Sequence, residues 1–241
     1  MVELVIKLNQ VSKKYVLRHE KPTLVENILG RRTSEIYWAL RNLNLTITKG
    51  EKVGIIGVNG SGKTTLLRII GGITAPTGGK VEVRGKVVSL IELGAGFHPD
   101  LTGEENIYLN GLLIGMSKEK IKKELKKIIK FAGLGKFIDA PFYTYSSGMR
   151  LRLGFSVAVY SNPDILLLDE NIAVGDADFK RKSLVKIKEF IKKGKTVLMA
   201  SHLLEMIEHN CSRVIWLDKG KIKEDGRASE VIKQYEKKVL S

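Results

Sequence analysis

The stretch Gly57-Val-Asn-Gly-Ser-Gly-Lys-Thr-Thr65 decides the fold of this chain. It matches the pattern G-x-x-x-x-G-K-[ST], in which glycines let backbone N–H groups turn inward and approach a phosphate closely. A short apolar run at 53–56 precedes it and a helical pattern at 64–70 follows it. That helix adds its positive N-terminal end to the anion site. The stretch therefore predicts a nucleotide-binding loop between a strand and a helix.

Two residues carry the polar chemistry of this loop. Lys63 is predicted to reach the β- and γ-phosphates of a nucleotide, and Thr64 to offer its hydroxyl to magnesium. The positions predicted to surround the phosphates are Gly57, Asn59, Gly60, Ser61, Gly62, Lys63, Thr64 and Thr65. A purely structural glycine-rich turn is the alternative, and the flanking strand and helix patterns argue against it. Alone, the loop predicts a P-loop nucleotide binder and no more.

Strand and helix patterns alternate along the rest of the chain. Segments 2–8 and 43–48 alternate apolar and polar residues, as half-buried strands do. Segments 165–168 and 196–200 are short apolar runs typical of buried parallel strands, and an amphipathic helix is predicted between them at 181–193.

A long helical pattern interrupts these strands between 103 and 160. We therefore predict one α/β domain over 1–241, a P-loop NTPase core with a mostly parallel sheet, an antiparallel β subdomain and an inserted α-helical subdomain. The core with its β subdomain is assigned to 1–100 and 161–241, and the helical subdomain to 101–160.

The composition and charge of the chain indicate which kinds of partner are expected. The chain has 241 residues and a net charge of +15, which indicates an anionic partner such as nucleic acid, a nucleotide or a lipid surface. Solvated lysine faces are the alternative for any single lysine. One cysteine, Cys211, excludes an internal disulfide. No apolar run approaches the roughly 20 residues that span a bilayer, so action at a membrane would need a membrane-spanning partner.

Polar residues follow the two buried strands. Asp169 and Glu170 end the first, where a carboxylate would lie beside the magnesium site and a second one would orient or deprotonate an attacking water. Ser201 and His202 end the second and bring an imidazole to the same edge.

A second anion site is predicted at Tyr145-Ser-Ser-Gly-Met149, where small hydroxyls and a glycine open a helix. One chain cannot easily use both sites on a single phosphate. A head-to-tail dimer can, because the segment of each chain would close over the nucleotide of the other.

The order of these motifs resembles the ATPase subunits of ABC transporters over nearly the whole chain. The family signature LSGGQ stands here as YSSGM, a departure at three of five positions that keeps Ser146 and Gly148. The resemblance implies ATP and Mg²⁺ as ligands and a homodimer. Its signature contacts to the partner's nucleotide fall on Ser146, Ser147, Gly148 and Met149.

The resemblance also implies individual roles. Lys63, Thr64 and Asp169 would hold nucleotide and magnesium, Glu170 would be the catalytic base, and His202 would contact the γ-phosphate. Further roles fall on Asp176 in the loop between paired subunits and on Tyr15 as the aromatic that stacks on adenine. Tyr37 and Trp38 are rivals for that stacking role, and a plain packing aromatic is the alternative reading of Tyr15.

One family residue is missing. Family members usually carry a glutamine between the phosphate loop and the helical lobe, and this chain has glutamine only at Gln10 and Gln234. Glu92 stands roughly at that position and is a candidate magnesium ligand. His98 is a second candidate for passing the signal to the membrane partner.

The stretch ELGAGFHPDLTG at 92–103, with Gly175-Asp176 and the lead-in 37–40, resembles a narrower branch, the Wzt O-antigen and TagH teichoic-acid exporters. The resemblance implies export of a lipid-linked cell-surface polysaccharide through a separate polytopic permease, at the cytoplasmic face of the inner or plasma membrane. Relatives of this kind can carry a C-terminal carbohydrate-binding domain. An insertion at 18–37 fits the branch, and its capping box at 23–26 predicts a short amphipathic helix for a membrane interface or lipid headgroup, or an ordinary surface loop.

Two other classes compete with export. An ABC-type ATPase acting on nucleic acid, in repair or translation, would suit the positive charge, but the chain shows no long heptad arm and no nucleic-acid module. A P-loop kinase or GTPase would leave YSSGM and His202 without a purpose. No nucleic-acid partner is therefore expected.

Overall fold

The computed structural model describes residues 3–18, 34–169 and 176–239. Its strands are β1 (Leu4–Arg18), β2 (Ser34–Thr48), β3 (Lys52–Ile56), β4 (Gly78–Val83), β5 (Val87–Ser89), β6 (Ile165–Leu168), β7 (Thr196–Ala200), β8 (Arg213–Asp218) and β9 (Lys221–Arg227). Its α-helices are α1 (Lys63–Ile70), α2 (Gly103–Leu113), α3 (Lys118–Ala132), α4 (Ser147–Tyr160), α5 (Ala177–Lys192), α6 (Leu204–Asn210) and α7 (Ala228–Val239). Short 3₁₀ turns span Gly135–Asp139 and Phe142–Thr144.

The strands form two sheets. The six-stranded sheet has the order β5-β6-β7-β3-β8-β9 and is parallel except for the β8–β9 pair. Strands β6 and β7 are buried along their whole length, as expected for central strands covered on both faces. The three-stranded antiparallel sheet has the order β2-β1-β4. This architecture confirms the predicted fold class.

The ribbon of β1 and β2 is much longer than the strands predicted at 2–8 and 43–48. Its register shifts at several points, including between Leu8 and Val11 and between Lys13 and Lys14. A bulge adds a residue to one strand and breaks the alternation of apolar and polar positions. The alternation therefore ends before the strand does. The helix predicted at 23–30 lies outside the described residues.

Helices α2, α3 and α4 come between β5 and β6 and share a hydrophobic cluster of their own, separate from the two clusters that flank the central sheet. Helix α2 begins at a capping box in which the hydroxyl of Thr102 accepts from the N–H of Glu105 and the Glu105 side chain accepts from the N–H of Thr102. Within the described ranges, no helix has the length and apolar character needed to cross a membrane.

Helix α5 begins four residues before the predicted start at 181. Asp176 accepts a hydrogen bond from the N–H of Phe179 at 2.9 Å and caps the helix. The first turn contains Asp178, Lys180 and Arg181, which hide the apolar periodicity, so only the cap marks the start.

Candidate functional site

The phosphate loop connects β3 to α1 and depends on glycine at two positions. Gly57 has φ +149°, and a Cβ there would overlap the carbonyl oxygen of Leu217 and lie 2.6 Å from Ser61 Oγ. Gly62 has φ +108°, and a Cβ there would lie 2.5 Å from the carbonyl oxygen of Ala39. Because Leu217 of β8 and Ala39 of β2 lie so close to the loop, only glycine lets the backbone curl at these two positions.

The curled loop borders a cavity of about 150 Å³. All but one of the predicted phosphate-binding positions line it, the exception being Gly57, and Tyr37 and Ala39 of β2 complete its wall. A cradle of backbone N–H groups at the start of a helix fits a phosphate chain by its size and polarity.

Lys63 is 5% exposed and lies over the loop. Its Nζ donates to the carbonyl oxygen of Gly57 at 2.7 Å and to that of Val58 at 3.2 Å. The ammonium of Lys63 is thus held by carbonyl groups of the phosphate loop, and this loop is the one that would bind a nucleotide. A phosphate at this place would compete for the same three N–H donors.

Thr64 and Asp169 come together as predicted. The hydroxyl of Thr64 donates to Asp169 Oδ2 at 2.9 Å, and Asp169 is 8% exposed. Hydroxyl and carboxylate oxygens suit Mg²⁺, which keeps several waters and binds through few protein ligands. No group of three or more His, Cys, Asp or Glu side chains in the described part of the chain could hold a metal ion. The Thr64 hydroxyl and the Asp169 carboxylate fit a magnesium ion whose remaining ligands would be phosphate and water.

Glu92 and His98 both have partners within the chain. Glu92 Oε1 is 2.9 Å from Arg68 Nη2 at the end of α1, so its carboxylate already has a cationic partner. His98 accepts a weak hydrogen bond from the N–H of Asp100 at 3.3 Å and its own N–H donates to Asn106 at 2.7 Å. Magnesium binding by Glu92 and signalling by His98 stay predictions.

Tyr15 and Tyr37 are directly opposite each other on the β1–β2 ribbon, which places both side chains on one face. The hydroxyl of Tyr37 donates to the carbonyl oxygen of Gly60 at 2.9 Å, so this residue is tied to the phosphate loop. The ring of Tyr15 lies under the ammonium of Lys13, 5.2 Å from its centroid. The sequence did not predict the contact between Tyr37 and Gly60, because that contact depends on the register of β1 and β2. Adenine stacking by Tyr15 stays a prediction.

The predicted second anion site lies at the start of α4. Ser146 is the N-cap, and its hydroxyl accepts from the N–H of Met149 at 3.2 Å. Ser146 and Ser147 are exposed, and a Cβ on Gly148 would meet nothing nearer than 4.0 Å. The surface over the first turn is therefore open to a partner.

Tyr145 explains one departure from LSGGQ. It is 3% exposed, and its hydroxyl donates to the carbonyl oxygen of Phe137 at 2.6 Å. Burial raises the pKa of this phenol. A tyrosine can replace the leucine because its ring packs on Phe142, 5.2 Å between centroids, and its hydroxyl has a partner.

The remaining predicted residues lie at strand and helix ends. Asp176 caps α5, and its Oδ2 is 3.5 Å from Arg152 Nη1 on α4. His202 follows β7 and is exposed, while the buried Ser201 accepts from the N–H of Leu203 at 3.0 Å. Glu170 lies outside the described residues.

Residues 40–173 match the family model for ABC transporters. The chain belongs to the ABC transporter family. It is 46% identical over 230 residues to the O-antigen export system ATP-binding protein RfbB of Myxococcus xanthus, covering 92% of this chain and 53% of that protein. It is 42% identical to RfbB of Klebsiella pneumoniae, covering 97% and 98%. The teichoic acids export ATP-binding protein TagH of Lactococcus lactis is 45% identical, with 96% and 50% covered. The chain thus spans about half the length of two of these relatives and nearly all of the third.

Solved structures of ATP-binding cassettes share the fold. A dimeric cassette in a post-hydrolysis state, bound to ADP and Pi, aligns with a TM-score of 0.69 at 28% identity, covering 92% of this chain and 98% of that one. The prediction of an ATP-hydrolysing ABC subunit is thereby confirmed. The nucleic-acid alternative finds no support among these relatives.

Proposed function

We propose that this chain powers the export of a lipid-linked cell-surface polysaccharide by hydrolysing ATP in a homodimer. The observation that carries the ATPase part is the hydrogen bond between Thr64 and Asp169 beside the phosphate loop. The observation that carries the polysaccharide part is 42–46% identity to O-antigen and teichoic acid export proteins.

The residues at the phosphate loop would have different roles in binding and hydrolysing ATP. The backbone N–H groups from Asn59 to Thr65 would bind the phosphates, and Lys63 would exchange its carbonyl partners for phosphate oxygens. Thr64 and Asp169 would hold Mg²⁺, whose charge offsets the negative charge that develops on the transferred phosphoryl group. Glu170 would take the proton of the attacking water, and His202 would contact the γ-phosphate.

A second copy of the chain completes the site. The start of α4 carries Ser146, Ser147, Gly148 and Met149, of which the two serines are exposed and the two following residues are half-buried. The hydroxyl and N–H groups of this segment would bind the γ-phosphate of the partner's ATP, and Asp176 would lie in the loop between the two chains. The dimeric cassette among the solved relatives supports this arrangement.

The membrane passage would belong to a separate polytopic permease. This chain would sit at the cytoplasmic face of the inner or plasma membrane and bind there through the permease. The positive charge of the chain favours a location near anionic lipid.

Reconstitution tests this proposal. The chain and its permease are placed in proteoliposomes, and ATP turnover is measured with lipid-linked polysaccharide, with the free polysaccharide and with duplex DNA. We expect stimulation by the lipid-linked polymer alone. Stimulation by DNA, without any effect of the permease, would instead favour a nucleic-acid ATPase.

A further inference from the structure

Arg68 and Glu92 join the phosphate-loop helix to the segment that leads into the helical part of the chain. Arg68 lies in the last turn of α1, whose first turn carries Lys63 and Thr64. The two charged groups are 2.9 Å apart, with side chains 39% and 35% exposed. Helix α1 is about 12 Å long and moves as one piece. A displacement at its nucleotide end therefore also displaces the guanidinium.

The segment that follows Glu92 is held against α4. The N–H of Ala95 donates to the carbonyl oxygen of Glu92 at 3.0 Å and closes a turn. Leu93 is buried, and its carbonyl group lies so close to Gly154 of α4 that a Cβ on that glycine would overlap it. Because there is no free space at this contact, the Glu92–Leu93 backbone and α4 have to shift together.

The same helix carries the second anion site. Ser146 caps α4, and Gly154 lies about 12 Å further along it. A tilt imposed at Gly154 thus reorients the N–H groups at the first turn. The path from the nucleotide site thus runs along α1 to Arg68 and across the ion pair to Glu92. It continues through the neighbouring Leu93 to Gly154 and along α4 to its cap.

The Arg68 guanidinium can form a second hydrogen bond to Glu92 that it does not make in this structure. Arg68 Nε is buried and has no hydrogen-bond partner among the described residues. The ion pair with Glu92 therefore uses Nη2 alone. A small shift of α1 toward Glu92 would give Nε the second carboxylate oxygen and form the two-bond pair that arginine and carboxylate favour. A buried donor without a partner costs free energy, and the two-bond state would recover it.

We propose that Arg68 and Glu92 are positioning residues which pass nucleotide occupancy from α1 to α4 by changing between a one-bond and a two-bond ion pair. This inference rests on the proposed function of the same site. Neither side chain lines the cavity at the phosphate loop, and the Glu92 carboxylate is engaged by Arg68. A magnesium ligand at Glu92 would instead give a loss of ATP·Mg²⁺ affinity in Glu92→Gln that Arg68→Gln does not share.

The test separates nucleotide binding from dimer closure. In a Glu170→Gln background, Arg68→Gln, Glu92→Gln and the double variant are compared for affinity toward a fluorescent ATP analogue and for ATP-driven dimerisation by analytical ultracentrifugation. We expect affinity within about twofold of the parent, while the ATP concentration for half-maximal dimerisation rises about tenfold. The double variant should be no worse than either single variant, because the three remove one interaction.

Arg68→Lys tests the two-bond state. It keeps the charge but loses the fork, so its dimerisation should be impaired like that of Arg68→Gln. The matched control is the exposed Lys80–Glu82 pair, also 2.9 Å apart, where Lys80→Gln should change nothing. Thermal melts identify any variant that fails to fold. If a single variant fails to fold, its dimerisation is replaced in the comparison by that of the double variant, which leaves no unpaired charge.

Several outcomes would overturn the inference. They are unchanged dimerisation in the Gln variants, additive losses in the double variant, an equal loss of ATP affinity, or parent-like behaviour of Arg68→Lys. If the Glu170→Gln parent itself forms no dimer at saturating ATP, the proposed homodimer is contradicted. A parent that dimerises beside unaffected variants contradicts only the Arg68–Glu92 link.

Discussion

The hydroxyl of Thr64 donates to the carboxylate of Asp169 across 105 positions of sequence, at 2.9 Å. The contact joins the first turn of α1, which follows β3 and the phosphate loop, to the residue after β6. Strand β7 lies between β3 and β6 in the sheet. The two proposed magnesium ligands thus come from the loop and from a strand that is not adjacent to the strand before the loop.

Thr64→Ala should abolish most Mg²⁺-dependent ATP hydrolysis. We expect kcat to fall about 100-fold or more, as it does when an enzyme loses one group that stabilises charge in the transition state. Thr64→Ser keeps the hydroxyl and should retain most activity. Titrating Mg²⁺ in an ATPase assay checks this, since the alanine variant should need far more metal. Equal activity of the two variants would show that the hydroxyl is not a ligand.

Gly57→Ala should destabilise the chain by about 1–3 kcal/mol, because the added Cβ overlaps the carbonyl of Leu217 where nothing can yield cheaply. ATP binding should be lost as well, since the loop cannot keep its curl. Urea unfolding and a fluorescent ATP analogue measure the two effects.

Gly78→Ala is the matched control for Gly57→Ala. A Cβ on Gly78 would meet nothing within 4 Å, and the backbone there lies outside the left-handed region. Its unfolding curve should match that of the parent or shift slightly to higher stability, because alanine lowers the backbone entropy of the unfolded chain. A similar loss of stability in both variants would show that the overlap with Leu217 is not the cause.

The phosphate loop and Asp169 could be predicted from sequence because each depends on a local pattern next to an apolar strand. Tyr37 could not be placed on Gly60, since that contact depends on the register of two long strands interrupted by bulges. Glu92 could not be assigned to Arg68 for a related reason. The two side chains are 24 positions apart in sequence, and their meeting depends on how α1 and the 92–95 turn pack. Local sequence patterns thus indicate which residues are chemically active, whereas the side chains that they contact depend on long-range packing.

Ser146 has two roles that can be separated by substitution. Ser146→Ala removes the N-cap of α4 and should cost about 1 kcal/mol of stability. Ser146→Asp keeps a good cap but places a negative charge where the partner's γ-phosphate would lie. Stability should therefore be kept in the aspartate variant, while ATP-driven dimerisation is lost in the Glu170→Gln background.

Thermal melts and ultracentrifugation measure the two roles of Ser146. A stable Ser146→Asp variant that still dimerises with ATP would contradict a phosphate contact at this position. Ser117→Asp, at the cap of α3, is the control for adding the charge elsewhere, and it should dimerise normally.

Lys86 makes the stability of the chain depend on pH at the alkaline side. Burial, followed by repulsion from Lys120, lowers the pKa of Lys86 from 10.5 to about 8. Both ammonium groups donate to the carbonyl oxygen of Ser161, at 3.2 Å from Lys86 and 2.5 Å from Lys120. Between pH 8 and 10.5 the unfolded chain binds more protons at this site than the folded chain, so the Lys86 contribution to stability rises with pH.

Lys86→Met should therefore stabilise the chain at pH 7, by about 1 kcal/mol once solvent screening of this partly exposed group is allowed for. Lys120 still satisfies the carbonyl of Ser161 in this variant. The advantage should shrink as the pH approaches 10, because the parent then loses the buried charge. Urea unfolding at pH 7, 8.5 and 10 measures the trend. Lys122→Met, on the exposed side of α3, should show no such pH dependence, and an equal response in both variants would rule out burial of Lys86 as the cause.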